Sequence, residues 1–343
     1  MQLDFSYLHG EPAATAKLRS QMSDFKVVEQ LPFEPCGEGE HLLIYIRKTG
    51  ANTLFVARQL AKYFSVKEAL VSYAGLKDRF AVTEQWFGVH LPGKQEYDLT
   101  DLNIEGVEVL RYQRHNKKLR TGALTGNKFE IILREVSDVD NVKEHWEKII
   151  KFGVPNYFGE QRFGIDSGNI DRALELFSGT KVKDKKKRGF YLSAARSYLF
   201  NYLVSQRISN NTFMHPVAGD VFMLAGTQSV FLAEEIDQKI LERLLEKDID
   251  ITSPMWGAGQ LMTTDEAQSI EQELLTKFPE ICAGLAKFGL KQERRRIRLA
   301  LSDGDITVEN DVIHLSFFLP AGCYATTILR ELVSYQDMTE RAQ

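Results

Sequence analysis

The chain has 343 residues, of which 43% are hydrophobic and 26% charged, with a formal net charge of −4 at pH 7. That length is generous for one core, so two domains are expected, and the composition is that of a soluble globular protein rather than a disordered or fibrous one. The longest apolar stretch, FFLPAGCYA at 317–325, falls far short of the ~20 residues that span a bilayer, and MQLDFSYLHG at the start lacks the basic and apolar regions of a secretory signal. No membrane association and a cytoplasmic location are therefore expected.

The predicted elements run as follows. FKVVEQL at 25–31 and HLLIYIRKTG at 41–50 alternate with period two and read as strands. NTLFVARQLAKYF at 52–64 has an Asn N-cap and places Val56, Leu60 and Tyr63 or Phe64 on one stripe, which predicts a packed helix. LVSYAG reads as a short strand and KDRFA as a connection. VTEQWFGVHLP reads as a strand with Gln85, Phe87, Val89 and Leu91 on one face, and NKFEIILREV at 127–136 as another. From FGVPNYFGEQRFG at 152–164 the pattern shifts to helices, such as AARSYLFNYLVSQRI and AQSIEQELLTKF, separated by polar loops. Strands resume with ITVENDVIHLSFFLP at 306–320, followed by a helical pattern through ATTILRELVSYQ. The simplest arrangement is a discontinuous domain, 1–152 plus 301–343, interrupted by an inserted one at 153–300.

Cys36, Cys282 and Cys323 are odd in number and far apart, which suits free thiols in a reducing compartment. No His or Cys pair has zinc-ligand spacing, no P-loop is present, and GAGQLM at 257–262 lacks the third glycine of a dinucleotide fingerprint. Neither a metal nor a cofactor is expected.

The net charge hides a segregation. Residues 111–129, 181–196 and 291–298 together hold 18 of the 43 Lys and Arg but only 2 of the 47 Asp and Glu, a local +16 that leaves −20 on the remainder. Each run alone reads as a solvated loop. Three such runs interleaved with Tyr112, Phe129, Phe190 and Tyr191 suit a polyanion whose phosphates meet cations and whose bases stack on rings.

In AGLKDRFAVTEQW, at 74–86, Asp78 sits between Lys77 and Arg79 where two strands meet. One reading is a turn aspartate that accepts backbone N–H bonds. The other is a carboxylate kept ionised by its cationic neighbours, competent as a nucleophile or base at a sugar carbon.

GLKDRFAVTEQW resembles the signature around the catalytic aspartate of the TruD family of tRNA pseudouridine synthases. RTGALTGNKF at 120–129, NYFGEQRFG at 156–164, LSAARSYLFN at 192–201 and LPAGCYATTILREL at 319–332 resemble that family too, in its order, so the likeness covers nearly the whole chain. It implies an α+β fold: a mixed, largely antiparallel catalytic sheet domain with an inserted second α/β domain, paired as a V around a basic cleft. It also implies an isomerase that converts uridine to pseudouridine in tRNA, typically at position 13, without metal or organic cofactor; a monomer is expected. Matched position by position, Asp78 stands for the catalytic aspartate, while Phe25, Asn127 and Tyr324 stand for substrate-binding residues. Strand core and turn formation are the ordinary alternatives for Phe25 and Asn127, and Tyr324 replaces the Phe that members more often carry. Arg19 matches a basic partner of the carboxylate, with Arg330 and the neighbouring Lys17 as competitors. Lys117, Lys118 and Arg120 are expected on the RNA backbone. The alternative function is a non-catalytic tRNA-binding or RNA-chaperone protein on the same scaffold.

Overall fold

In the computed structural model, residues 3–93 and 95–339 are described. The chain divides into two compact units. One comprises Pro12–Trp146, Leu301–Ala325 and Leu332–Gln343; the other comprises Met1–Glu11, Glu147–Ala300 and Thr326–Glu331.

In chain order the elements of the first unit are β1 (Thr15–Leu18), β2 (Phe25–Gln30), β3 (His41–Thr49), α1 (Thr53–Tyr63), β4 (Val71–Tyr73), β5 (Val82–His90), β6 (Val107–His115), β7 (Gly126–Arg134) and the start of α2 (Val139–Phe152). The other unit follows with β8 (Val154–Pro155), α3 (Gly168–Phe177), α4 (Lys185–Ser209), β9 (Val221–Leu224), β10 (Val230–Leu232), α5 (Gln238–Leu245), β11 (Ile249–Met255), α6 (Asp265–Lys277), α7 (Pro279–Lys287), β12 (Glu293–Arg296) and β13 (Arg298–Leu299). The chain closes with β14 (Ser302–Glu309), β15 (Val312–Pro320), α8 (Ala325–Leu332) and β16 (Ser334–Asp337).

The sheet of the first unit runs β14-β15-β7-β2-β5-β3-β6, with β4 beside β5 and β1 bridging β7 and β16. Only the β2–β5 and β1–β16 pairs are parallel, so the sheet is mixed and largely antiparallel, as expected of an α+β fold. Asn52 caps α1 by accepting from Phe55 N at 2.8 Å, and Val56 and Leu60 bury against Ile44, Ile46, Phe87 and Val89. Each such side chain stabilises the unit by roughly 1.5–3 kcal/mol. Of the two aromatics ending that stripe, Phe64 packs on this cluster and Tyr63 is exposed. Alternation in β5 is masked. Leu43, Trp86 and Leu119 form a second cluster, and every residue from Thr83 to Val89 is buried, as befits a strand flanked on both edges and covered on both faces.

Two expectations need correction. The region between 152 and 300 is not helices and polar loops alone, because it contains the four-stranded sheet β10-β9-β11-β12. β9, β10 and β12 have only three or four residues and β12 is written ERRR, while the seven residues of β11 carry Asp250, Thr252, Ser253 and Pro254 among their apolar positions. The helical pattern after Ala325 also stops early: α8 ends at Leu332, and Ser334–Asp337 extends as β16 in parallel register with β1. The amino-terminal segment belongs to the unit containing Glu147–Ala300 for a visible reason. Phe5 packs into its core against Tyr157, and the N–H groups of Leu8 and His9 donate to the buried Glu331 carboxylate at 2.9 and 3.1 Å.

Candidate active site

Asp78 lies in the loop between β4 and β5, where it closes a turn and meets Arg19, while the flanking Lys77 and Arg79 bond instead to Glu29 and to the Gly50 carbonyl. Asp78 Oδ1 accepts from Phe80 N at 3.1 Å and closes the turn, while Oδ2 accepts from Arg19 Nη2 at 2.9 Å. The same guanidinium donates through Nη1 to Asp337 Oδ2 at 2.5 Å. Arg19 is therefore a fork between two carboxylates, a geometry that suits the planar guanidinium. It immediately follows β1 with φ of 56°, a left-handed conformation that a non-glycine residue adopts at a cost of order 1–3 kcal/mol when the surroundings enforce it. Its side chain is 7% exposed and lies over the Phe25 ring, 4.3 Å from the centroid.

The competitors are engaged elsewhere. Lys17 pairs with Glu135 at the surface. Arg330, in the other unit, stacks on Tyr7 at 3.6 Å and donates to the carbonyl of Phe5.

Phe25 is buried in β2, with its edge toward Phe129 and its face under Arg19. Asn127 lies on β7, paired in register with Glu29 of β2 and Leu319 of β15. The approach of β15 is close enough that a Cβ on the adjacent Gly126 would stand 2.2 Å from the Leu319 carbonyl oxygen. Among the described residues, Oδ1 of Asn127 is buried and has no hydrogen-bond partner, in a position where such atoms are normally satisfied. Tyr324 is partly buried in the turn between β15 and α8. That turn is tied back by Ala321 N to Thr125 O at 3.1 Å, two residues before Asn127.

Lys48 and Glu29, which the sequence reading did not single out, also bond to this loop. Lys48, fully buried at the end of β3, donates to the carbonyls of Ala51 and Asp78, each at 2.7 Å. Burial pushes its pKa down to about 8, opposed by the charge of Asp78. Lys77 pairs with the buried Glu29 at 2.8 Å. Alternation held a signal for two of these residues, since Lys48 falls on the face of Leu42, Ile44 and Ile46, and Glu29 on that of Phe25 and Val27. A charge at an apolar position is the informative exception. Asp337 had none, because it follows directly on a segment read as helix through Gln336.

The depressed pKa of Lys48 has a testable consequence. Unfolded, the amine holds its proton to about pH 10.4; folded, it releases it near pH 8. The folded state thus binds fewer protons between those values, so wild-type stability is expected to rise relative to Lys48→Met as pH climbs from 7.5 to about 10. Parallel denaturant midpoints for the two proteins across that range would contradict it.

The three basic runs have different fates. Lys117, Lys118 and Arg120 are all exposed on the loop from β6 to β7, which Leu119 anchors by burying beside Trp86 and which Gly122 N ties to Ala74 O at 2.7 Å. Lys185–Arg188 form the first turn of α4, the three lysines exposed and Arg188 half-buried, with Asp184 as the N-cap. The third run is largely spent inside its own unit, contrary to expectation. Arg294 pairs with Glu271 at 2.7 Å, Arg298 with Asp250 at 2.6 Å, and Arg296 donates to the carbonyls of Leu224 and Thr227. Phe129 is likewise core, stacked on Phe317, whereas Tyr112 and Phe190 are exposed.

GAGQL, at 257–261, lines part of a cavity of about 760 Å³ with Trp256, Leu275, Gln272 and Gln292. Among the described residues its one titratable lining group is Cys282, whose thiol burial pushes up to about 12. Among the described residues, no three His, Cys, Asp or Glu side chains gather as a metal set, and no helix is long and apolar enough to cross a membrane.

Comparison with known proteins agrees with these motifs. The family model described as tRNA pseudouridine synthase D (TruD) matches residues 4–174 and 175–332. A tRNA pseudouridine synthase D from Colwellia psychrerythraea is 66% identical, covering 99% of this chain and 96% of the relative; one from Shewanella oneidensis is 48% identical over 98% and 91%. A solved structure from Methanosarcina mazei, assigned to tRNA pseudouridine synthase D, superposes with a TM-score of 0.69 at 20% identity, covering 96% of this chain and 94% of that one, and so shares its fold. With its α+β sheet, its Asp78 loop and a family match along almost its full length, the chain belongs to the TruD family of tRNA pseudouridine synthases.

Proposed function

We propose that this chain isomerises uridine to pseudouridine in tRNA, at position 13, with Asp78 as the reacting carboxylate. The observation that carries this reading is the Arg19–Asp78 pair: a partly exposed carboxylate whose orientation is set by a buried guanidinium. In the reaction the N1–C1′ bond breaks, the uracil turns, and a C5–C1′ bond forms as the C5 proton leaves to solvent and N1 takes a proton up. Atoms balance without water, redox or a second substrate. Asp78 either adds to C1′ directly or takes a sugar proton on a glycal route; both use the same ionised, oriented oxygen.

The other side chains divide the remaining work. Asn127 Oδ1 accepts from the uracil or the ribose, and Tyr324 offers a stacking face with a hydroxyl. Phe25 acts through Arg19, on which its ring packs. The unit holding Asp78 carries the chemistry, and Lys117, Lys118 and Arg120 contact the RNA backbone beside it.

Tritium release from tRNA labelled at uridine C5, followed by primer-extension mapping of the product, tests the reaction and its position. Binding of tRNA without release from any tRNA would favour the non-catalytic binding protein. Replacing Lys117, Lys118 and Arg120 with Gln or Met is expected to weaken tRNA binding and to lower the slope of log K against log salt by roughly one unit per lost phosphate contact. An unchanged slope would mean that the loop faces solvent only.

A further inference from the structure

The stretch AGLKD folds with its polarity inverted. Ala74 is buried, and the Lys77 side chain is 7% exposed and paired with Glu29, while the apolar Leu76 between them is 66% exposed. A single exposed leucine is ordinary. Here the backbone on both sides of it is fixed. The Gly75 carbonyl accepts from Gln85 Nε2 at 3.2 Å, and Lys77 N donates to Thr53 Oγ1 at 2.9 Å. Thr53 and Gln85 are themselves buried and bonded to each other at 2.9 Å. Leu76 is thus a rigidly mounted apolar side chain, two residues before the Asp78 carboxylate. The loop bearing Lys117, Lys118 and Arg120 is tied to Ala74, two residues before it on the other side.

Resting on the isomerase reading above, we propose that Leu76 is the side chain that enters the base stack as the target uridine leaves it. Chemistry at C1′ requires the nucleotide out of its stack, and apolar wedges are what proteins insert between base steps to hold them apart. Leucine suits this place because it adds no charge or hydrogen-bond donor beside Asp78. The exposed cations of the neighbouring loop would hold the phosphates flanking the gap.

The test uses the full-length protein and tRNA carrying 2-aminopurine next to the target uridine, whose fluorescence rises when the base beside it unstacks. With Asp78→Asn to stop the chemistry, binding should raise the fluorescence. Adding Leu76→Ala should remove at least about half of that rise while tRNA affinity stays within about threefold. In the Asp78 background, Leu76→Ala should slow turnover at saturating tRNA by about tenfold or more, and Leu76→Met, which keeps the wedge apolar and long, should restore most of it. Leu245→Ala, an equally exposed leucine in α5, serves as the control and should turn over like wild type.

Full turnover by Leu76→Ala overturns the proposal. So does slow turnover with an undiminished fluorescence rise, which would place Leu76 after extrusion, and so does a bound Asp78→Asn complex with no rise at all. Wild-type tritium release is read on the same preparation. A wild type that unstacks the base through Leu76 but releases no tritium would sink the isomerase reading and leave the wedge standing.

Discussion

Asp78→Asn is expected to lower tritium release from C5-labelled tRNA by at least about 10³-fold while tRNA affinity changes little. Asn is nearly isosteric and can keep the turn, since its side-chain carbonyl accepts from Phe80 N as Oδ1 now does at 3.1 Å. What it removes is the ionised oxygen that faces Arg19 Nη2. A neutral amide has neither the negative charge to add to C1′ nor the basicity to take a sugar proton, so both routes fail together. The fold is not at stake, because Arg19 keeps Asp337 as a partner. Release within tenfold of wild type, with the variant folded, would remove Asp78 from the chemistry.

The second large effect belongs to Arg19. Arg19→Lys keeps the charge but not the fork, since one ammonium cannot meet Asp78 and Asp337 in the two directions that Nη2 and Nη1 do. The carboxylate then loses its fixed orientation, and misplacing a reacting group by about an ångström costs on the order of 10² in rate. We expect kcat to fall by about that factor, with KM for tRNA little changed. Lys17, two residues away, is the control: its pair with Glu135 joins side chains 34% and 63% exposed, a class worth about 0–1 kcal/mol. Lys17→Met should therefore leave kcat unaltered. Equal kcat for Arg19→Lys and wild type would mean that the fork is structural only.

Much of the fold was legible because local patterns and tertiary burial agree. Period-two alternation located β2, β3 and β7 to within a residue or two, and Asn52 marked the start of α1. Legibility failed where burial is decided by distant partners. Thus β12 is a strand of charged residues whose arginines are satisfied by Glu271 and by carbonyls far along the chain, whereas β5, read as a strand from residue 82, is one from Val82 to His90 although both its faces are buried. Leu332 and Ser334 are two residues apart, yet one ends a helix and the other begins a strand, because β1 offers backbone partners from Thr15 onward.

By itself, the sequence determined the family, through five ordered motifs, and with it the carboxylate to examine; it determined the local elements whose periodicity matches their burial. Which cation orients Asp78, and what holds that cation, only the tertiary structure decided. Arg19, Asp78 and Asp337 come from three separate parts of the chain, and nothing in local spacing encodes their meeting. The same holds for Lys48 and Leu76, one charged and buried, the other apolar and exposed. Their environments come from strand pairing and loop anchoring far along the chain, and those contacts override the hydrophobicity on which a sequence reading depends.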